Sequence, residues 1–192
     1  MYNSITTDQF KSFFLSYFSS NPAISSIDWD TWLYAPGMPP YKPNFDTTLA
    51  VKSRELAEKW VAGNIPENNK EFEEFSAEQK LEFLGILLES DKLEHEKLEK
   101  MDKIYSLSTS PNTEVLFGFI RIGIKARWEK SVELGLDLAT RQGRMKFCRP
   151  LFKDMWGWEE QKERVKKCFL EHRAEMMSVC REMVGKDLGI KD

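Results

Sequence analysis

Apolar and polar residues alternate with the period of an α-helix along most of this chain. The first apolar stripe is aromatic and follows the spacing i, i+3, i+4, i+7, i+8: Phe10, Phe13, Phe14, Tyr17 and Phe18. This spacing places the rings on one helix face. We therefore expect a helix that buries this face and has Thr7 as its N-cap. The segment DWDTWL, residues 28–33, predicts a second, short helix.

A proline-rich stretch interrupts this pattern. The segment YAPGMPPYKPNFD, residues 34–46, has prolines at four positions: Pro36, Pro39, Pro40 and Pro43. Proline fixes φ and lacks the N–H donor, which excludes a helix or a central strand here. Such a segment is extended and semi-rigid. We therefore expect three regions: residues 1–34, a linker at 35–46, and a helical domain at 47–192.

The region after the linker carries clear signals for helix starts and ends. The starts are indicated by capping residues: Asp46 or Thr47, Ser76 with Gln79, and Asn112. The ends are indicated by Gly63 and Gly143. Residues 159–185 predict one long last helix that ends at Gly185, with Glu163 and Lys167 as an ion pair.

The fold class that follows from these patterns is all-α. The apolar run VLFGFIRIGI, residues 115–124, is interpreted as a buried helix because a helix start precedes it and the polar segment KARWEK follows it. Consecutive helices of about 10–17 residues with short connections predict antiparallel pairs stacked in a solenoid-like layer. No repeat motif recurs, so periodicity leaves the repeat class open.

Composition places the chain among globular proteins. Of its 192 residues, 41% are hydrophobic and 31% are charged. There is no apolar run of about eighteen residues for a membrane span, and the N-terminus lacks the features of a signal peptide. Three cysteines form no paired framework, which is typical of a reducing compartment. We therefore expect a cytoplasmic protein that does not bind membranes.

Charge is unevenly distributed along the chain. The formal net charge is −3, yet residues 144–167 hold eight cations and four acids, a net of 8 − 4 = +4. Residues 67–102 hold twelve acids and five cations, a net of 5 − 12 = −7. Within the basic region, residues 141–153 contain five cations and no carboxylate. The acidic region is interpreted as a solvated helix face.

Arg144 and Lys146 are the candidate binding residues of the basic region. They follow Gly143, the expected C′ residue of the preceding helix, so they lie on a turn or at the start of the next helix. Free N–H groups and the positive end of a helix dipole would reinforce their charge there. Arg offers a planar fork and Lys a compact charge, so the pair suits a small anion or a ligand carboxylate. We expect Pro150 to start a further short helix.

Two other interpretations of the basic segment stay open at this level. Its cations could cap the preceding helix and pair with the acids of residues 67–102. They could also contact phosphates of a nucleic acid, but a pI of about 5.6 and aromatic residues at buried helical spacing argue against nucleic-acid binding.

The sequence contains no complete active site. His95 begins HEKLE, but the second histidine of an H-E-x-x-H zinc motif is replaced by Glu99. Cys168 and His172 form an i, i+4 pair without a third ligand, so a packed thiol beside a partly exposed histidine is the better interpretation. With two histidines in all, a nucleophilic triad has no support, and phosphate-binding glycine loops are absent. We predict no catalytic residue and no metal site in this chain.

Four segments together are similar to one known family. They are SITTDQFKSFFLSYF, DWDTWLYAPGMPPYKPNFD, RWEKSVELGLDLATRQGRMKFCRPLFKD and MVGKDL. In order and spacing they resemble the C-terminal third of the zinc aminopeptidases that include leukotriene-A(4) hydrolase and aminopeptidase B. Cys148 and the Trp156–Trp158 segment WGW lie outside that resemblance.

The resemblance implies an architecture and a role. The fold would be a two-layer antiparallel stack of helices, an armadillo- or HEAT-like superhelix, and residues 1–34 would be the last helices of an upstream catalytic domain. Zinc and the catalytic groups would lie in that missing domain. Arg144 and Lys146, which match the G-R-M-K-F segment, would bind the substrate carboxylate. Arg149 and Lys153 are assigned no substrate contact.

The sequence therefore predicts the C-terminal domain of a metalloprotease that closes the substrate channel and is inactive alone. Its expected partners are the missing catalytic domain and a peptide with a free carboxylate, or a lipid epoxide acid. The alternative is a stand-alone helical solenoid that binds a protein partner and has no catalytic role.

Overall fold

The computed structural model describes residues 4–190, and the chain divides into two compact units between Phe45 and Asp46. The first unit contains α1 (Thr7–Tyr17), a 3-10 turn (Pro22–Ser26) and α2 (Trp29–Tyr34). Residues 35–47 contain no helix or strand, as their prolines predict.

The first helix differs from its prediction in two respects. Its N-cap is Thr6, not Thr7: the Thr6 hydroxyl accepts from the backbone N–H of Gln9, and the Gln9 side chain accepts from the N–H of Thr6. The prediction that its aromatic face is buried is wrong for the described chain, since Phe13 is 68% and Tyr17 71% exposed. Helical periodicity indicates that a face needs a covering partner, and α2 covers only part of this one, through Trp29.

The second unit contains nine helices in its described part. Their bounds are α3 (Thr48–Val61), α4 (Lys70–Glu73), α5 (Ala77–Glu89), α6 (His95–Tyr105), α7 (Thr113–Lys125), α8 (Glu129–Arg141), α9 (Met145–Trp156), α10 (Lys162–His172) and α11 (Ser178–Asp187). Two 3-10 turns, Leu107–Thr109 and Glu159–Gln161, lie between helices. Helices are the only regular secondary structure over residues 4–190, which confirms the predicted all-α fold class.

Local capping explains where several of these helices begin. Ser76 and Gln79 form the predicted capping box of α5, and the Asn112 side chain accepts from the N–H of Glu114 at the start of α7. Thr47 precedes α3 but its side chain makes no capping bond; Asp46 accepts from the N–H of Thr48 instead.

The helices of the second unit stack in two layers. Helices α3, α5, α7, α9 and α11 pack in succession, and α8 and α10 pack on this row from the second layer. Two apolar clusters fill the interior, one from α3 to α7 and one from α7 to α11. Helix α7 contributes Phe119 to the first cluster and Ile120 to the second, so two of its faces are apolar and buried. Its remaining face carries three charged residues, Glu114, Arg121 and Lys125, none of which is buried.

Close approach of α7 and α8 requires a glycine. A Cβ at Gly123 would lie 2.6 Å from the Cβ of Ser131, well inside contact distance. Gly123 therefore allows α7 and α8 to pack closely. The basic segment follows at the end of α8.

Two predicted elements in the C-terminal half are wrong. Pro150 lies inside α9, which already begins at Met145. Its missing N–H removes one helical bond, a local cost that the burial of Leu151 and Phe152 offsets. The single last helix is broken after His172, because the turn lets both α10 and α11 pack on α9.

The predicted ion pair between Glu163 and Lys167 is also not formed. Lys167 lies 3.9 Å from Glu171 instead. Within the described residues, no helix combines the length and apolar content required to cross a membrane.

Candidate functional site

The start of α9 carries the two candidate binding residues. Helix α8 ends at Arg141 with Gln142 as its C-cap, so Gly143 occupies the predicted C′ position. Arg144 is the N-cap of α9, with extended backbone angles (φ −78°, ψ 120°), and Lys146 lies in the first turn. No side chain caps this helix and its first turn contains no acid. The positive end of its dipole is therefore not compensated locally.

Arg144 is exposed, and its guanidinium lies 5.8 Å from the centre of the Phe147 ring. Phe147 itself is buried and meets Phe117 edge-to-face at 5.2 Å, so the ring is a fixed support. Among residues 4–190 no carboxylate forms an ion pair with Arg144. Its fork of donors is available to a ligand.

Lys146 is held by an acid that the sequence did not indicate. Its ammonium donates to Oε1 of Glu114 in the first turn of α7, and lies 5.5 Å from the Phe147 ring centre. An acid in the first turn of a helix is favoured by the dipole alone. Glu114 therefore gives no sequence signal of a partner 32 residues away. A lysine has three donors, so this ion pair still leaves donors for a ligand.

Two of the three remaining cations of the basic segment, Arg141 and Arg149, form ion pairs, whereas Lys153 forms none among residues 4–190. Arg141 pairs with Asp137 one turn earlier, at 3.2 Å. Arg149 donates to both oxygens of Asp187 on α11, at 2.6 and 3.0 Å, and this raises the pKa of Arg149 and lowers that of Asp187. The interpretation that these cations pair with acids of residues 67–102 is wrong, because their partners lie at positions 114, 137 and 187. The segment contains no acid, yet three of its five cations form ion pairs with acids elsewhere in the chain.

Cys148, in the same segment, is not a candidate nucleophile. It is 1% exposed, and burial, together with nearby Cys180, raises the pKa of its thiol to about 12. The thiol donates to the carbonyl of Gln142. It therefore stays protonated at neutral pH and serves packing.

The histidines also have structural partners. The Nε2 of His95 lies 3.0 Å from the carbonyl oxygen of Ala126, and Nδ1 of His172 lies 2.9 Å from the carbonyl oxygen of Cys168. Over residues 4–190, no three His, Cys, Asp or Glu side chains are placed to hold a metal ion. The chemistry that the described site can perform is thus anion binding, with Arg144 as the open donor and Lys146 beside it.

The chain matches a family model described as leukotriene A4 hydrolase, C-terminal, over residues 75–188. Among curated proteins it is 37% identical over 194 residues to leukotriene A-4 hydrolase of Xenopus laevis, covering 98% of this chain and 32% of that protein. It is 36% identical over 200 residues to leucine aminopeptidase 2 of Aspergillus fumigatus, with the same coverage. The chain therefore spans about a third of the length of these relatives.

Solved structures give the same match. The structure of native yeast LTA4 hydrolase superposes with a TM-score of 0.80 at 27% identity, over 98% of this chain and 33% of that one. The yeast enzyme in complex with bestatin gives a TM-score of 0.82.

Proposed function

Because the chain belongs to the leukotriene A4 hydrolase C-terminal family, we propose that it is the helical domain that closes the substrate channel of a zinc aminopeptidase. In this proposal Arg144 and Lys146 bind the free carboxylate of the substrate. The observation that carries it is Arg144, which is exposed and has no carboxylate partner among residues 4–190, at the start of α9.

Arg144 is the main carboxylate ligand. Its guanidinium matches the two oxygens of a carboxylate, and the dipole of α9 adds to its positive charge. The buried Phe147 ring below it limits the rotamers that the side chain can adopt. Less conformational freedom is then lost when a ligand binds.

Lys146 is the secondary ligand, and Glu114 positions it. The ion pair with Glu114 keeps the ammonium beside Phe147 and close to the helix start. It also reduces the net charge that Lys146 offers. A substrate carboxylate therefore competes with Glu114 for Lys146, whereas no described carboxylate competes for Arg144.

The role in catalysis is orientation. A carboxylate bound far from the reacting bond fixes the substrate, so that binding energy is used to align the bond that is cleaved. The metal and the groups that act on that bond would be supplied by residues outside this chain. A peptide is the proposed substrate; a lipid acid carries the same carboxylate and would meet the same two side chains.

The division of the chain follows the same proposal. Residues 1–34 would be the last helices of the catalytic domain, residues 35–46 the linker, and residues 47–192 the C-terminal domain. The exposure of Phe13 and Tyr17 supports this, because an aromatic face of that size needs a cover. The missing two thirds of the relatives' length would supply it.

The test is Arg144→Gln in the complete protein that carries this chain. Hydrolysis of a tripeptide with a free carboxylate should lose about 10- to 100-fold in kcat/KM, the effect of one charge-assisted hydrogen-bonded pair. Hydrolysis of the same tripeptide as its C-terminal amide should change less than about threefold, because the amide makes no ion pair.

The matched control is Arg141→Gln, three residues earlier, which removes an exposed arginine paired with Asp137. It should leave both substrates unaffected. Equal losses on the acid and the amide in Arg144→Gln would refute carboxylate recognition.

A further inference from the structure

A second basic site lies away from the start of α9. A cavity of about 400 Å³ is found where the C-terminal ends of α5, α7 and α9 come together. Its charged lining consists of four cations and one acid: Lys92, Arg121, Lys125, Arg127 and Asp154. We refer to it as the α5–α7–α9 cavity.

The cavity has a surplus of positive charge. Four cations against one carboxylate give a net of 4 − 1 = +3. The three helix ends contribute roughly −0.5 each, which leaves a surplus of about 1.5 positive charges. Capping of the helix ends therefore accounts for only part of the cationic lining.

Two of the cations cap helix ends and keep spare donors. Lys125 donates to the carbonyls of Leu88 and Ser90 at the end of α5, at 2.7 and 2.5 Å. Arg127 donates through one terminal nitrogen to the carbonyl of Gly157, at 3.0 Å. These contacts fix both side chains in place and leave one N–H of Lys125 and several of Arg127 for a ligand.

The other two cations of the cavity, Arg121 and Lys92, have most of their donors free of bonds among the described residues. Arg121 uses its Nε to donate to Asp154, at 2.6 Å, so the bonds among described residues leave its terminal nitrogens to a ligand. Lys92 is exposed, and in the described part of the chain it forms no ion pair. The available donors thus come from three directions: the loop after α5, the last turns of α7, and the turn that follows α7.

The turn that holds Arg127 is conformationally costly. Arg127 has φ +61°, in the left-handed region that favours glycine. It occupies the C′ position of a Schellman motif, in which Trp128 N–H donates to the Gly123 carbonyl and Arg127 N–H to that of Ile124. Glycine would adopt this backbone conformation at lower cost. Arginine instead contributes a guanidinium to the cavity lining, 5.3 Å from the centre of the Trp158 ring.

We propose that the α5–α7–α9 cavity binds a phosphate dianion, either inorganic phosphate or a phosphate monoester. A tetrahedral dianion accepts hydrogen bonds from several directions and neutralises more than one positive charge. A planar carboxylate would satisfy one arginine fork and leave the remaining donors unused. This site is independent of Arg144 and Lys146.

The test is titration of the full chain with sodium phosphate at constant ionic strength, followed by calorimetry and by the thermal midpoint Tm. Phosphate should raise Tm more than acetate or chloride does. Lys92→Gln and Arg127→Gly should each weaken phosphate binding about 5- to 10-fold, since each removes charge-assisted donors. Arg127→Gly also relieves the left-handed strain, so it is expected to remain folded, which circular dichroism would check.

Two controls separate this site from other cations. Lys166→Gln, an exposed lysine on α10, and Arg141→Gln, an exposed arginine of α8, should both bind phosphate like the unaltered chain. Phosphoserine that binds more tightly than phosphate would identify a monoester as the ligand, and equal affinity would identify the free ion. Weakening by Lys166→Gln or Arg141→Gln to the same degree as by Lys92→Gln, or no weakening by Lys92→Gln and Arg127→Gly, would overturn the proposal.

Discussion

Arg144 and Arg149 lie five residues apart at either end of the first half of α9, and they serve different purposes. Arg149 has 36% of its side chain exposed and donates twice to Asp187, so it joins α9 to α11. Arg144 is exposed, contacts one aromatic ring and has no acid partner in the described structure. The same residue type is thus structural where a fixed carboxylate faces it and available for binding where none does. Charge density along the sequence does not separate these cases.

The largest expected effect is a loss of stability from a substitution in the core, on the buried face of α9. Phe152 is fully buried and meets Phe169 edge-to-face at 5.8 Å. Phe152→Ala should lower the free energy of unfolding by about 3–5 kcal/mol, through lost burial and the cavity left behind. Urea denaturation monitored by circular dichroism would measure it. Leu170→Ala, at a 41% exposed position of α10, should cost far less; similar losses would mean that Phe152 is not a core residue.

A smaller effect is expected from the structural arginine. Arg149→Gln removes the bonds to Asp187 and should lower Tm by about 2–4 °C, the shift typical of a modest loss of stability in a chain of this size. Arg144→Gln should leave Tm unchanged within about 1 °C, because Arg144 forms no ion pair within the described part of the chain. Differential scanning calorimetry of the two variants tests the distinction directly. A lower Tm for Arg144→Gln than for Arg149→Gln would reverse the two assignments.

The same contact gives a pH dependence of known sign. The hydrogen bonds from Arg149 hold the pKa of Asp187 below its ordinary value of 3.8. A carboxylate with a lowered folded-state pKa stabilises the fold above its unfolded pKa and loses that contribution as the pH falls through the folded value. The Tm difference between the unaltered chain and Arg149→Gln should therefore be full at pH 6. At about pH 3 and below it should shrink progressively. A constant difference from pH 6 to pH 2 would show that Asp187 does not carry the effect.

The smallest expected effect is a change in the affinity for free-carboxylate peptides. Glu114→Gln removes the acid that competes for Lys146, so the complete protein should bind free-carboxylate peptides about two- to fivefold more tightly, as expected for an exposed ion pair. The measurement is the inhibition constant of a non-hydrolysable peptide acid. Asp137→Asn removes the acid that pairs with Arg141 and should have no effect. Weaker binding by Glu114→Gln would mean that Glu114 acts mainly by positioning Lys146.

Local signals allowed much of the fold to be predicted. Capping by Ser76 and Asn112 depends on residues within one turn, and the long apolar run of α7 predicts a buried helix. The break between α10 and α11 was not predictable in this way, because it follows from how both helices pack on α9. Pro150 misled for the same reason: a local rule placed it at a helix start, and tertiary packing kept it inside one.

The candidate site was predictable in part. Arg144 and Lys146 were identified by their position after a helix-ending glycine, and their place at the start of α9 agrees with the structure. Their substrate role stays a prediction. Glu114 and Asp187, which distinguish the cations, lie 32 and 38 residues from their partners. Such ion pairs depend on the angles at which helices cross, and these angles cannot be deduced from a single sequence.

Helix α7 gives the second unit a property that stacked helical repeats often lack. In such arrays each repeat touches only its neighbours, and unfolding can proceed from one end. Here the side chains of one helix belong to both apolar clusters. Neither cluster can melt without exposing α7 to water, so we expect both to unfold in a single cooperative transition. Probes at the α3 end and at the α9 end should therefore report the same midpoint of thermal or denaturant unfolding, and the local structure around Arg144 and Lys146 should be lost together with the most distant core.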